Sequence, residues 1–390
     1  MQLAFSKEDS DFRDEVRTWL AEHAPRQRRP RSGTAMRDFD LAWQKLQWEG
    51  GWAGIAWPVE YGGRGLLLTQ QLVWHEEYAK LGMKPIDCRF VGLSHAGPTL
   101  ISRAGPEHQA FHLPRILRGE VVWCQGFSEP EAGSDLASLR TRGVVDGDEL
   151  VVTGQKIWTS FADLADWQEL LVRTNPEAPK HKGLTWVICD MHSPGIDVRP
   201  IHSLDGHADF AEVFYDDVRI PLANVVGGID NGWGVAMSTL SFERGTAFTV
   251  NQVQLSTTVE RLIVLAREHA DGRGRPLLDD EEIRRALARA RADVAALRAL
   301  TYLGISRNAQ AATPGPEGSM MKLQYADLSQ RIHRLAVEIV GPRSIGLDEA
   351  DEETSYWTDR YLLSFGDSIG GGTSEIQRNI IAERVLGLPR

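Results

Sequence analysis

Apolar residues recur along this chain in two rhythms. Phe12, Val16, Trp19 and Leu20 fall at i, i+4, i+7 and i+8, one face of a helix, and Ser6 with Asp9 ahead of them has capping-box spacing. Pro25 and Pro30 end that helix. DFDLAWQKLQWE gives a second helix that runs into a turn rich in Gly and Pro. LTQQLVWHEEYAKLG, VGLSHAGPTLISRAG and PEHQAFHLPRILRGE continue the helical rhythm, each interrupted by Gly or Pro.

Near Val121 the runs shorten and begin to alternate. LRTRGVVDGDELVVTGQKIWTS holds Asp146-Gly147 between two strand-like runs, a strong hairpin signal. LTWVICDM, GIDVRPI and FAEVFYDDVRI read as further strands. From Gly232 the helical rhythm returns, with helices predicted over about 233–269, 279–311 and 317–340 and a last one from Ser374. The order is α, β, α, an α+β chain with expected domains at 1–119, 120–231 and 232–390.

Composition narrows the function classes. A formal charge of −11 argues against wrapping nucleic acid and leaves no basic stripe for an anionic membrane. Cys88, Cys124 and Cys189 are scattered, with no CxxC pair, so a disulfide framework or structural zinc is not expected. No apolar run approaches the ~18 residues of a membrane span. The start has no basic segment followed by an apolar one, so the expected location is cytoplasmic. His75 beside Glu76 and Glu77 reads as a structural or solvated histidine, and no metal is expected. There is no G-x-G-x-x-G after a strand, no P-loop, no HExxH and no GxSxG.

Two segments carry chemistry: WCQGFSEPEAGSD (Trp123–Asp135) and TGQKIWTSFAD (Thr153–Asp163). On residue type alone, Pro130, Gly133 and Ser134 fit an ordinary turn, and Trp158 fits a core position in a strand. Taken with the α–β–α order and the terminal GTSEIQR, they resemble the acyl-CoA dehydrogenase family, over essentially the whole chain. The resemblance implies an N-terminal helical domain, a central barrel-like antiparallel sheet domain and a C-terminal four-helix bundle. It also implies FAD between the β domain and the C-terminal helices. Backbone groups at Phe127 and Ser128 would meet the pyrimidine edge of the flavin. Trp158 would pack on its ring face and the Ser160 hydroxyl would bond near N5. Thr373 and Glu375 would meet the diphosphate–ribose region, with Arg273 and Gly341 also on the cofactor side. Ser134, Arg244 and Gly370 fall on the substrate side.

The family chemistry is α,β-dehydrogenation of an acyl-CoA thioester, with electron-transfer flavoprotein the expected acceptor. Many members carry the catalytic carboxylate in the loop before the last helix, where this chain has Gly371. Isovaleryl- and long-chain-type members supply it from another helix, matched here by STLSFERGTAF and therefore by Glu243. Ala236, Leu240, Glu243, Ala247 and Val250 would form one stripe of one helix, where desolvation would raise a carboxyl toward the range of a general base. The alternative is a Glu243 that pairs with an arginine such as Arg244 and only stabilises. Gly371 would then offer its backbone N–H to the thioester carbonyl. Ser374 followed by Gln377 has capping-box spacing for the last helix.

Two positions depart from the family pattern. Ala270 stands where an arginine commonly reaches the FAD diphosphate, and Glu338 where a glutamine binds the adenosine half. Arg273, Arg275 or Arg343 are the compensating candidates. A homodimer or homotetramer with substituted contacts, or a heterotetramer with a paralogue, would account for these departures. An oxidase or hydroxylase on the same fold, and a non-catalytic paralogue, are the other readings.

Overall fold

The computed structural model describes residues 6–82, 87–243, 247–308, 317–345 and 352–389. In chain order the helices are α1 (Lys7–His23), α2 (Gly33–Glu49), α3 (Leu68–Ala79), α4 (Gly97–Arg103), α5 (Pro106–Leu117), α6 (Gly232–Glu243), α7 (Ala247–Glu268), α8 (Glu281–Asn308), α9 (Glu317–Val340), α10 (Glu352–Ser364) and α11 (Ser374–Ile380). The strands are β1 (Trp123–Gly126), β2 (Arg142–Asp146), β3 (Glu149–Ser160), β4 (Trp167–Arg173), β5 (Leu184–Asp190), β6 (Ile196–Ile201), β7 (Phe210–Pro221) and β8 (Val225–Val226). The chain divides into two compact units. A sheet unit comprises residues 22–66 and 86–243, and a helical unit comprises 1–21, 67–85 and 244–390.

In the sheet unit the strand order is β6-β7-β3-β2-β4-β5-β8, with β1 on β4. The hairpin at Asp146-Gly147 forms as expected, with β2 antiparallel to β3 and Gly147 at φ 64°. The sheet is open rather than closed into a barrel, and β1 and β2 both pair with β4 in parallel. Along β4, Leu170 and Val172 enter one core while Leu171 enters the other; along β5, Val187 and Cys189 alternate with Trp186 and Ile188 in the same way. The second core is completed by Leu100 of α4, Leu113 and Ile116 of α5, and Val235 and Ala236 of α6. Asp166, just before β4, accepts from Arg37 of α2 at 2.8 Å and from the Val122 N–H at 2.7 Å, tying a helix and β1 to the same corner. Arg29 donates to the buried Asp40 at 2.6 and 2.5 Å in a second, partly buried pair. Cys88, Cys124 and Cys189 are buried free thiols, and burial pushes each of them up from its ordinary value.

The helical unit begins with the expected capping box: the Ser6 N–H bonds Asp9, and the Asp9 N–H bonds the Ser6 hydroxyl. Arg13 of α1 bridges Glu76 and Glu77 of α3 at 2.7 and 2.5 Å. The core of this unit runs through four helices: Val259 and Leu262 of α7, Leu287 and Leu297 of α8, Ile332 and Ala336 of α9, and Trp357 of α10. That is the expected bundle, except that α10 has no counterpart in the sequence reading. Buried Thr354, Ser355 and Thr358 flank Trp357 and dilute its apolar stripe. β4 was also not expected from the sequence. Both its faces are buried, and Gln168 and Glu169 interrupt its apolar run, so it shows neither alternation nor a clean hydrophobic stretch. The expected helix over 233–269 is described as α6 and α7, with 244–246 between them outside the described residues.

Leu262, fully buried at the centre of the bundle, is the strongest test of that core. Leu262→Ala is expected to cost about 2–5 kcal/mol, read as a lower denaturant midpoint of the helical unit.

Candidate active site

The two sequence segments expected to meet a cofactor come together in the sheet unit. β1 ends at Gly126, whose missing side chain is required: a Cβ there would lie 2.6 Å from the Gln168 side chain. Beyond it, the Ser128 carbonyl accepts from the Ile157 N–H at 3.0 Å, so Phe127 and Ser128 run beside the end of β3. Lys156, fully buried, donates to the Phe127 carbonyl at 3.0 Å and to Glu129 at 2.8 Å. Glu129 also accepts the Arg140 N–H at 2.6 Å and the Thr141 N–H at 2.8 Å. Burial opposes ionisation of Glu129, but Lys156 and these donors outweigh it and hold the carboxyl below its ordinary value. Burial pushes Lys156 down to about 8 against the pull of Glu129.

Between Lys156 and Thr159 the β3–β7 register slips, and Trp158 sits in this irregularity at φ 60°. A bulky aromatic residue is a rare occupant of that backbone region. The consequence is an indole 57% exposed at the sheet surface, held edge-on against Phe210 at 5.9 Å. Trp158 is therefore not the core tryptophan that residue type alone allows. The Ser128 and Ser160 hydroxyls and the Ser128 N–H have no hydrogen-bond partner among the described residues. Ser134 stands in an exposed turn beyond Ala132.

In the helical unit, the glycine loop before α11 is organised by Gln377. Its side-chain amide donates to the Gly371 carbonyl at 3.0 Å and to the Gly372 carbonyl at 3.1 Å. Gly371 and Gly372 sit at φ 65° and 90°, and the Gly370 N–H is committed to the Gly366 carbonyl at 2.9 Å. The Gly371 N–H has no partner among the described residues. The cap of α11 is Thr373, whose hydroxyl accepts from the Ile376 N–H at 3.3 Å, and not Ser374. Helix entry falls one residue earlier than the Ser374/Gln377 spacing suggests, which frees Gln377 for the loop. Glu375 is exposed and pairs with Arg378 at 3.1 Å.

The remaining expected residues are dispersed. Gly341 ends α9 at φ 69°, where its carbonyl accepts from Ser344 at 2.7 Å. Ala270 lies in a tight reversal bridged to Pro276. There Asp271 accepts from the Arg273 N–H at 2.8 Å and pairs with the exposed Arg275 side chain at 2.9 Å. Arg343 contacts His269. Glu338 makes no ion pair among the described residues. Glu243 is the last residue of α6, two turns beyond the buried Ala236. Its side chain, and Arg244 altogether, lie outside the described residues. Lys156 and Gln377 are the functional candidates the sequence reading passed over. Lys156 sits two positions before Trp158, and only the bulge shows that it faces inward. Gln377 read as half of a cap.

Comparison with known proteins supplies the frame for this arrangement. Residues 6–120, 124–218 and 230–386 match the N-terminal, middle and C-terminal domains of acyl-CoA dehydrogenase. The chain is 38% identical over 387 residues to acyl-CoA dehydrogenase IpdE1 of Mycobacterium tuberculosis, covering 97% of this chain and 98% of that one. It is similar to a solved structure described as the Tcur3481-Tcur3483 steroid ACAD, at a TM-score of 0.88 and 31% identity over the full length of both. The structure of the ChsE4-ChsE5 complex from Mycobacterium tuberculosis is similar at a TM-score of 0.85 and 31% identity, again over the full length of both.

The Gln377 clamp yields a test of the loop. A Cβ at Gly372 would lie 2.7 Å from the Gln377 amide nitrogen, at a φ that L-residues avoid. Gly372→Ala should cost about 1–3 kcal/mol in thermal melts. The cost should shrink in a Gln377→Ala background, where the clash is gone.

Proposed function

The chain belongs to the acyl-CoA dehydrogenase family, and we propose that it dehydrogenates a bulky, steroid-type acyl-CoA thioester, with Glu243 as the base. The observation that carries the reading is the glycine loop. Gln377 holds its two carbonyls, and the Gly371 N–H is left without a partner among the described residues. That N–H is offered to the thioester carbonyl. A donor fixed in advance where negative charge develops is commonly worth about 3 kcal/mol, and it makes the α carbon more acidic. Glu243 takes the α proton onto its carboxylate. The loop thus serves through its backbone and the base comes from α6, so the glycine at 371 is compatible with turnover.

The sheet unit fits a flavin. Trp158 presents a flat exposed face, and Ser128 and Ser160 beside it keep donors without partners among the described residues. Phe127 and Ser128 would meet its pyrimidine edge, Trp158 its ring face and Ser160 the region of N5. Thr373 and Glu375 would lie toward the diphosphate and ribose. When bound, FAD accepts the β hydrogen of the substrate as hydride. Ser134, Arg244 and Gly370 are assigned to the substrate, and electron-transfer flavoprotein to the role of acceptor.

The bulky-substrate reading is supported by the full-length neighbour described as a steroid ACAD. A heteromeric assembly is supported by the ChsE4-ChsE5 complex and by the residues of this chain. Ala270 offers no charge to a diphosphate, Arg275 is already paired with Asp271, and Glu338 adds a carboxylate. In this reading a paralogous partner supplies the contacts to the ADP half.

Glu243→Gln should retain the flavin absorbance and lower kcat by roughly 10²–10⁴-fold, the usual range for a lost general base. Undiminished anaerobic bleaching by substrate would remove Glu243 from the mechanism. The assembly is tested by visible spectrum and native mass: the chain should be colourless alone and yellow when co-expressed with a paralogue. A yellow homo-oligomer of this chain alone would show that no partner is needed.

A further inference from the structure

We propose that Lys156 is a positioning residue for the cofactor edge: its buried ammonium polarises the Phe127–Ser128 peptide and strengthens the Ser128 N–H as a donor. The inference rests on the flavin reading above. The Lys156 ammonium donates to the Phe127 carbonyl at 3.0 Å, and that carbonyl shares one peptide plane with the Ser128 N–H. A cation that draws charge from a carbonyl leaves the N–H of the same peptide more positive, and hydrogen bonds in series reinforce one another. Burial keeps water from diluting the effect. The chain just beyond this peptide is also anchored. Ile157 donates to the Ser128 carbonyl, and Glu129 is anchored by the Arg140 and Thr141 N–H groups.

The plain alternative is that Lys156 only neutralises Glu129. Two observations argue for more. Glu129 already accepts two backbone donors without Lys156, and a buried ion pair is by itself weak evidence of stabilisation. The second bond of Lys156 goes to the Phe127 carbonyl, whose peptide partner, the Ser128 N–H, is unpaired among the described residues. Two residues further on stands Trp158, so the same buried cation also sits at the base of the bulge that presents the indole.

The test uses Lys156→Met, Lys156→Arg, and the double variant Lys156→Met with Glu129→Gln, which removes the pair without stranding a buried charge. In the flavin-free chain, residue-resolved amide exchange at Ser128 should slow several-fold in both Met variants and recover in Lys156→Arg. In the flavin-loaded protein the midpoint potential should fall, by about 30 mV for each tenfold loss of preference for the two-electron-reduced state. kcat should drop with KM nearly unchanged. If Lys156→Met does not fold, the double variant decides. Unchanged Ser128 exchange and potential alongside a lower melting temperature would overturn the proposal and leave Lys156 a purely structural cation. If the wild-type chain never holds flavin, alone or co-expressed with a paralogue, the flavin reading falls, and Ser128 exchange alone decides the role of Lys156.

Discussion

The sheet unit depends on two strands that have no solvent face. β4 and β5 send successive side chains into two separate cores, so a shift of one residue in either strand would move Leu170, Leu171, Trp186 and Val187 into the wrong layers. That constraint fixes register more tightly than any single hydrogen bond. Because β1 and β2 both lie on β4, it also fixes where β1 ends and where the β2–β3 hairpin begins. The Phe127–Ser128 segment is the exit of β1, and the Trp158 bulge lies near the end of β3. Their placement is thus a consequence of core packing at some distance from them.

Much of this was legible in the sequence. The α–β–α order, the Ser6/Asp9 cap, the Asp146-Gly147 hairpin and the strand at FAEVFYDDVRI all announce themselves through local rules, because each has one wet face or one obligatory turn residue. β4 did not, since burial on both sides erases the alternation that marks a strand and its interior Gln168 and Glu169 look like surface residues. α10 was hidden in the same way by threonines and a serine that face inward. The candidate site divides along a similar line. Residue type and motif singled out Trp158, Ser160 and the glycine run. Whether Trp158 is core or surface turns on a positive φ, which no composition reports. Lys156 and Gln377 act through backbone carbonyls, and contacts of that kind leave no spacing pattern.

The glycine loop and the proposed base illustrate a division of labour between backbone and side chain. A donor supplied by a main-chain N–H survives any substitution that preserves the positive φ, whereas a carboxylate is lost with one codon. A family that keeps the first in a glycine turn and places the second on a helix can relocate its acid without rebuilding the donor. In the function proposed here, Gly371 and Glu243 are one outcome of that freedom.

The buried thiols carry a consequence of a different kind. The product of α,β-dehydrogenation of a thioester is a conjugated enoyl thioester, a soft electrophile that adds readily to thiolates. Cys88, Cys124 and Cys189 are the cysteines of this chain; all are buried, and burial holds each in the protonated, unreactive form. In the proposed reaction a Michael acceptor is released at every turnover, and this chain offers that product no accessible cysteine thiol to alkylate: the packing that builds the sheet also shields the thiols from the proposed product.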